Sequence, residues 1–254
     1  MNGPHPESKP EVFQTDNKNS EPGARAFVWG IWAILSGAAL IVVFCYGTIL
    51  PHEEDWMLVP YLTGGEPITP SWLWLKEHVH RSPFLKIIFL TLLKLSGGDF
   101  RVLMVFTLLL LSGLAFAMIR AAKFSRGWTG YTDAIFPFAL IPGGAAVPGI
   151  FYQNRTACFT LTFLAAIVFL IILRHGFDLT IKSGLLAGIC LMILPLCSAA
   201  GVFYVPGLAL WLGIAGILHW GSSKANAKRT SIILIIVALI PCLIGLLILL
   251  NYQE

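Results

Sequence analysis

Past Phe27 the chain alternates between long apolar blocks and short polar connections. The blocks are Phe27–Leu50, Arg101–Ile119, Asp133–Phe151, Thr156–Leu173, Ser183–Ala199, Val202–Trp220 and Ser231–Leu250. Each is close to the ~20 residues a helix needs to cross a ~30 Å hydrocarbon core. The pattern predicts an all-α, polytopic membrane protein with about seven transmembrane helices. Pro and Gly interrupt several blocks, which membrane helices tolerate when neighbours satisfy the freed backbone groups.

One connection differs from the rest. Pro51–Phe100 separates the first two blocks and is rich in Trp, His and acidic residues. Its last part, "RSPFLKIIFLTLLKLSGGDF", predicts a helix over Pro83–Leu95, with Pro in the first turn and Gly-Gly at the end. That helix would rise only about 20 Å, too short to span. Lys86 and Lys94 fall near one face of it, which predicts an interfacial helix along the outer leaflet. A re-entrant segment continuous with the next block is the alternative.

Composition agrees with this pattern. The chain is 57% hydrophobic and only 12% charged, too little charge to cover a soluble domain of 254 residues. Its mean hydropathy is +0.79. Residues 1–26 are polar, with Pro, Ser, Asn and charges of both signs, and predict a disordered cytosolic tail ahead of a membrane domain over 27–254. That tail lacks the apolar core of a signal peptide. The five cysteines, Cys45, Cys158, Cys190, Cys197 and Cys242, all fall in apolar blocks. They form neither a disulfide framework nor a CxxC metal spacing, and are expected to be small buried hydrophobes.

Charge placement sets the expected orientation. With the N-terminus inside, the cytosolic segments carry Lys9, Lys18 and Arg25, then Arg120, Lys123 and Arg126, then Arg174 and Lys182, then Lys224, Lys228 and Arg229. This arrangement follows the positive-inside rule at every cytosolic connection. The Pro51–Phe100 segment then faces out, with Glu53, Glu54, Asp55, Glu66, Glu77 and Asp99 among its residues.

Glu53, Glu54 and Asp55, in "HEEDW", lie just beyond the outer end of the first block. Like charges crowded at a low-dielectric boundary raise one another's pKa values. A carboxylate so placed can take a proton from an attacking alcohol, or help hold a divalent cation. The plain alternative is a solvated loop, with Trp56 and Tyr61 as anchors in the headgroup layer. In "WLWLKEHVHRS", His78 and His80 beside Glu77 make a weak metal signal. His80 and Arg81 make better sense as donors to an anion, since Arg offers a fork matched to phosphate oxygens. Headgroup contact by a surface loop is the competing reading. Trp72 and Trp74 point the same way if extended, as interface anchors or a sugar-stacking pair. Asp99 is expected to cap the second block's helix. Arg101 would reach a lipid phosphate or hold a lipid-linked substrate.

On the cytosolic side, "RGWTGYTDAIFPF" offers Thr132 or Asp133 as a helix N-cap and is read as structural. The sequon Asn154-Arg155-Thr156 lies very close to the membrane. The sequence has no GxxxxGK[ST], GxGxxG or GxSxG stretch, which argues against nucleotide-hydrolysing and serine-hydrolase modules. No internal repeat is evident and the blocks hold almost no ionisable residues, both of which weigh against a transporter or flippase.

The ordered series Glu53–Trp56, His80–Lys86, Gly97–Arg101, Arg126–Pro137 and, more loosely, "LPLCSAAGVFYVPGLALWL" resembles the N-terminal half of bacterial membrane glycosyltransferases of the GT-C fold. The resemblance implies a bacterial inner-membrane enzyme that moves a sugar from a polyprenyl-phosphate donor to an acceptor on the outer face. It implies Glu54 or Asp55 as the catalytic base or metal-linked carboxylate, with Glu53 a weaker candidate. It further implies that His80 and Arg81 face the donor phosphate or the sugar; Glu53, His78 and Arg101 are the other candidate substrate-binding residues. The expected partners are a lipid-linked sugar and membrane lipids, not nucleic acid. The chain is shorter than typical members, so a partner subunit supplying a C-terminal half is also an expectation. The alternative from another class is a non-catalytic membrane protein that binds a lipid-linked glycan or a partner.

Overall fold

The apolar blocks become helices whose bounds follow their punctuation. The computed structural model describes residues 22–75, 82–146, 153–220 and 227–250. Its α-helices are α1 (Pro22–Tyr46), α2 (Val59–Thr63), α3 (Pro70–Trp74), α4 (Pro83–Leu95), α5 (Arg101–Arg126), α6 (Ile135–Ala146), α7 (Gln153–His175), α8 (Ile181–Cys197), α9 (Ala199–Trp220) and α10 (Ala227–Leu250). Two 3-10 turns, Glu53–Leu58 and Tyr131–Ala134, precede α2 and α6. Among the described residues there is no strand.

Five helices, α1, α5, α7, α9 and α10, are long and apolar enough to cross a membrane. Their outer surfaces carry large apolar side chains, such as Ile34 at 67% exposure and Leu210 at 66%. Apolar surface on that scale is stable against hydrocarbon, not water. The molecule is therefore an all-helical protein built for a membrane. The count of seven crossings does not follow directly, because α6 and α8 are shorter than the other five. At 12 residues α6 rises only about 18 Å. Even so, the chain returns across the bundle between α5 and α7. Thr107 meets Thr156 through their hydroxyls at 2.8 Å, and Gly113 faces Phe163 further along, so α5 and α7 run parallel.

Several boundaries differ from the sequence expectation. Helix α1 starts at Pro22, inside the segment expected to be a disordered tail, because Pro suits the first helical turn and Ala24 and Val28 are buried. Helix α5 continues to Arg126, so Arg120, Lys123 and Arg126 sit on its last two turns rather than in a loop. Gly127 then ends it in a left-handed conformation, φ +83°. Cys45 and Cys158 are exposed on helix surfaces, not buried as expected.

The helices are held by close approach and by a few buried polar contacts. Gly184 and Gly188 on α8 face Leu234 and Val237 of α10, where an added Cβ would fall at 2.2 and 1.8 Å. Small residues at this spacing let membrane helices pack backbone to side chain. On the other side of the bundle, Trp32 Nε1 donates to Ser112 O at 3.0 Å and Ser36 meets Ser112 at 2.8 Å, which ties α1 to α5.

The bundle has two distinct ends. Arg120 and Arg126 of α5, Arg174 of α7 and Lys182 of α8 gather at one of them. The α9 end joins them through His219 Nε2, 3.7 Å from Asp178. Gly216 packs on Ser231 and Ile235, which brings the start of α10 with Lys228 and Arg229 to the same end. The Pro51–Phe100 segment occupies the opposite end.

Candidate functional site

The 51–100 segment is a folded element with its own core. Its two ends are joined where Phe100 N donates to Ile49 O at 3.2 Å. Gly97 and Gly98, both at positive φ (69° and 88°), turn the chain from α4 into α5. Leu58, Trp72, Leu85, Phe89 and Leu93 are buried together with Leu103 of α5, Ala157 of α7 and Cys197 of α8. The loop is thus seated on the bundle end by a continuous apolar contact.

Helix α4 has the bounds that the sequence predicts, Pro83–Leu95, but a different environment. Lys94 is exposed, whereas Lys86 is 0% exposed. The two are eight residues apart, about 80° around the helix, enough to separate a buried position from an open one. Helix α4 packs its Leu85, Lys86, Phe89 and Leu93 face inward, while Ile87 and Leu95 stay exposed. Lys86 Nζ donates to Trp72 O at 3.1 Å and to Leu75 O at 2.9 Å, and lies 5.1 Å from the centre of the Trp72 ring. A cation bonded to the last carbonyls of α3 also suits the negative end of that helix.

The two tryptophans do not form a pair. Thr69 Oγ1 accepts from Trp72 N at 3.2 Å and Pro70 opens the turn, so 70–74 is helical rather than extended. Residues two apart in a helix point about 200° apart. Trp72 is buried and stacked on Tyr61, with ring centres 4.0 Å apart, while Trp74 is 46% exposed. A sugar-stacking platform made of both rings is ruled out by this turn.

Glu54 and Asp55 lie on the 3-10 turn and are partly exposed. Asp55 N donates to His52 O at 3.0 Å, and Asp55 Oδ2 is 3.4 Å from His52 N. Three residues after Asp55, Leu58 is fully buried, so the acid pair is fixed to the loop core by its own turn. Trp56 is 58% exposed, as an interface anchor should be. The side chain of Glu53 and the whole of Glu77, His78, His80 and Arg81 lie outside the described residues. The flanks of that last segment are nevertheless fixed. Leu75 O accepts from Lys86 Nζ, and Ser82 O accepts from Lys86 N at 3.1 Å, so both flanks are tied to Lys86. Among the described residues no three His, Cys, Asp or Glu side chains come together as a metal ion would require. Glu54 and Asp55 thus provide only part of a donor set for a divalent cation.

Arg101 and Asp99 meet as a pair. Asp99 Oδ1 accepts from Arg101 N at 3.0 Å, which is the expected capping of α5. Asp99 Oδ2 also accepts from Arg101 Nε at 3.0 Å and Nη2 at 2.6 Å. The guanidinium is therefore already engaged, and a substrate phosphate would have to share it. The Arg101 bonds hold the Asp99 carboxyl below its ordinary value of 3.8. A depressed carboxylate stabilises the fold above its unfolded pKa and loses that contribution as pH falls through the folded one. Asp99→Asn is thus expected to lower thermal stability by a constant margin from neutral pH down to the mildly acidic range. The margin should shrink only below 3.8. Thermal unfolding of both proteins across pH checks this.

At the basic end, Asp133 is 2% exposed and pairs with Arg126 Nη2, while its Oδ2 accepts from Gly130 N at 3.0 Å. Asp133 therefore stands inside the 3-10 turn and is not the N-cap of α6; the carboxylate instead closes the α5–α6 connection. Arg126 also lies over Trp128, 5.2 Å from the ring centre. Sequence reasoning missed this partnership, although "RGWTGYTD" contains both charges. The sequon hydroxyl of Thr156 is buried against Thr107.

Among the described residues, two open cavities lie at this basic end. One, of about 560 Å³, is bordered by Pro22, Arg25, Ala26 and Trp29. The other, of about 280 Å³, lies between α5, α7 and α8. No protein-family model, curated protein or solved structure matches the chain.

Proposed function

We propose that this protein is a GT-C-like glycosyltransferase that moves a sugar from a polyprenyl-phosphate donor to an acceptor hydroxyl on the outer face of a bacterial inner membrane. The observation that carries the reading is the shared core of the 51–100 segment. Leu58, the last residue of the acid turn, and Trp72 and Leu85, on either side of residues 76–81, are buried in one cluster. That core holds Glu54 and Asp55 on the same small element as the two flanks of residues 76–81, at the end of the bundle away from the basic clusters.

The chemistry asks for one base. The acceptor oxygen forms a bond to the anomeric carbon as the bond from that carbon to the phosphate oxygen breaks. The acceptor proton passes to Glu54 or Asp55, and the polyprenyl phosphate leaves as a stabilised anion. A second carboxylic acid is not needed for that leaving group, in contrast to glycoside hydrolysis. His80 and Arg81 are proposed to meet the donor phosphate, since a guanidinium fork matches its oxygens.

The test is transfer of labelled sugar in proteoliposomes supplied with a panel of polyprenyl-phosphate sugars. Glu54→Gln or Asp55→Asn, whichever removes the base, is expected to lower the rate about a hundredfold or more. Unchanged transfer in both single variants and in the double variant would remove the catalytic role of this turn. Retention of lipid-linked sugar by wild type without any transfer would favour the binding protein instead.

A further inference from the structure

The cavity between α5, α7 and α8 has a composition that the proposed reaction does not use. Arg120 from α5 and Arg174 and His175 from α7 stand at its rim. Below them its walls are apolar, with Phe116 and Leu186 among them. These two side chains are 42% and 48% exposed on the outside of the helices, so the cavity opens sideways toward the surrounding hydrocarbon. Among the described residues, no carboxylate pairs with Arg120, Arg174 or His175. The acid nearest in sequence, Asp178, is directed to His219 on α9. Arg120 is steadied by the Phe124 ring, 5.4 Å from its guanidinium carbon, which leaves the N–H edges available to an anion. The start of α8 adds the positive end of a helix dipole at the same rim, where Thr180 and Ser183 cap it reciprocally.

We infer that this groove is a binding site for an anionic phospholipid, with the headgroup phosphate between Arg120 and Arg174 and an acyl chain along Phe116 and Leu186. Charge complementarity selects the phosphate, because two guanidinium groups from different helices converge without an acid of their own. The apolar wall and the sideways opening select a lipid over a free anion. A zwitterionic lipid would bring its own cation to a rim that is already positive. The site sits at the bundle end that gathers the basic residues, where attraction to an anionic leaflet adds to the local contacts. This inference does not rest on the proposed sugar transfer and can hold or fail separately.

The test uses the full chain purified into nanodiscs of phosphatidylcholine doped with phosphatidylglycerol, with bound lipid counted by native mass spectrometry. Wild type is expected to retain phosphatidylglycerol over phosphatidylcholine. The double variant Arg120→Gln/Arg174→Gln should lose that preference by on the order of tenfold. Lys123→Gln/Lys228→Gln removes the same net charge outside the groove and should change retention little. Both variants should unfold at the wild-type temperature in pure phosphatidylcholine, which shows that the groove variant is folded. Equal losses in the two double variants would reduce the effect to general surface charge and overturn the site. So would inorganic phosphate alone raising the unfolding temperature as much as phosphatidylglycerol does, since the groove would then bind the anion without the lipid.

Discussion

Lys86→Met is expected to loosen the 51–100 element while leaving the transmembrane bundle assembled. Replacing a buried charge with an apolar side chain of similar shape is often neutral when both partners are removed. Here the described partners are backbone carbonyls, of Trp72 and Leu75, and no substitution at position 86 removes them. The Trp72 carbonyl keeps the bond it accepts from Leu75 N at 3.0 Å, and Leu75 is 53% exposed, so its own carbonyl can turn to water. Losing the charge-assisted hydrogen bonds that Lys86 gives these carbonyls costs about 1.5–3 kcal/mol. That loss falls on the cluster that seats the 51–100 element on the bundle end. Hydrogen exchange should therefore speed up across Glu53–Trp74 and Pro83–Leu95 and stay unchanged in α9 and α10. If the function is as proposed, sugar transfer falls with it, although position 86 touches no substrate. Protection equal to wild type in the loop would show that Lys86 does not hold it.

Gly201→Ala is expected to be the most damaging single-methyl change in the bundle. An added Cβ would stand 1.9 Å from Leu194 O and 2.5 Å from Leu194 C. Both are backbone atoms, so no rotamer relieves the clash, and α9 must swing away from α8. The elbow has little slack, because only Ser198 links the two helices, and Gly201 N bonds back to Ser198 O at 2.9 Å. Overpacking of this kind costs about 1–3 kcal/mol and more when backbone must move. The unfolding temperature in detergent should drop by several degrees. Gly207→Ala, on the same helix with nothing within 4 Å of the new methyl, is the control. It should be neutral or slightly stabilising, since Ala favours helix over Gly. Equal behaviour of the two variants would show that the α8–α9 elbow is not tight.

The helices were legible because hydrocarbon demands long uninterrupted apolar runs, and α4 was legible to the residue because Pro83 and Gly97 punctuate it. The partners of charged residues were not. Lys86 reads as a surface lysine until α3 forms and turns the Trp72 and Leu75 carbonyls toward it, and α3 itself depends on a Thr69 cap that no apolar periodicity reveals. Asp133 reads as an N-cap because its partner, Arg126, lies across a turn whose shape no periodicity reveals. Glu54 and Asp55 stood out as an acidic knot beside an apolar span, and the fold adds their anchorage through Leu58. Most of the other residues in the ordered motifs turn out to shape connections. Gly97 and Gly98 bend the chain, Asp99 caps α5, Asp133 closes the α5–α6 turn and Gly201 forms the elbow. Within the described part of those motifs, the proposed function assigns the chemistry to the acids of the 3-10 turn.

The proposed function requires those acids to face the outside of the cell and the basic end to face the cytosol. The direct measurement is labelling of single cysteines in intact cells with a membrane-impermeant maleimide, on a background in which the five native cysteines are replaced. Glu66→Cys marks the exposed tip of the 51–100 element, and Ser125→Cys marks the exposed last turn of α5. Glu66→Cys should label in intact cells, and Ser125→Cys only after the membrane is opened. The reverse pattern would place Glu54 and Asp55 in the cytosol and contradict sugar transfer on the outer face.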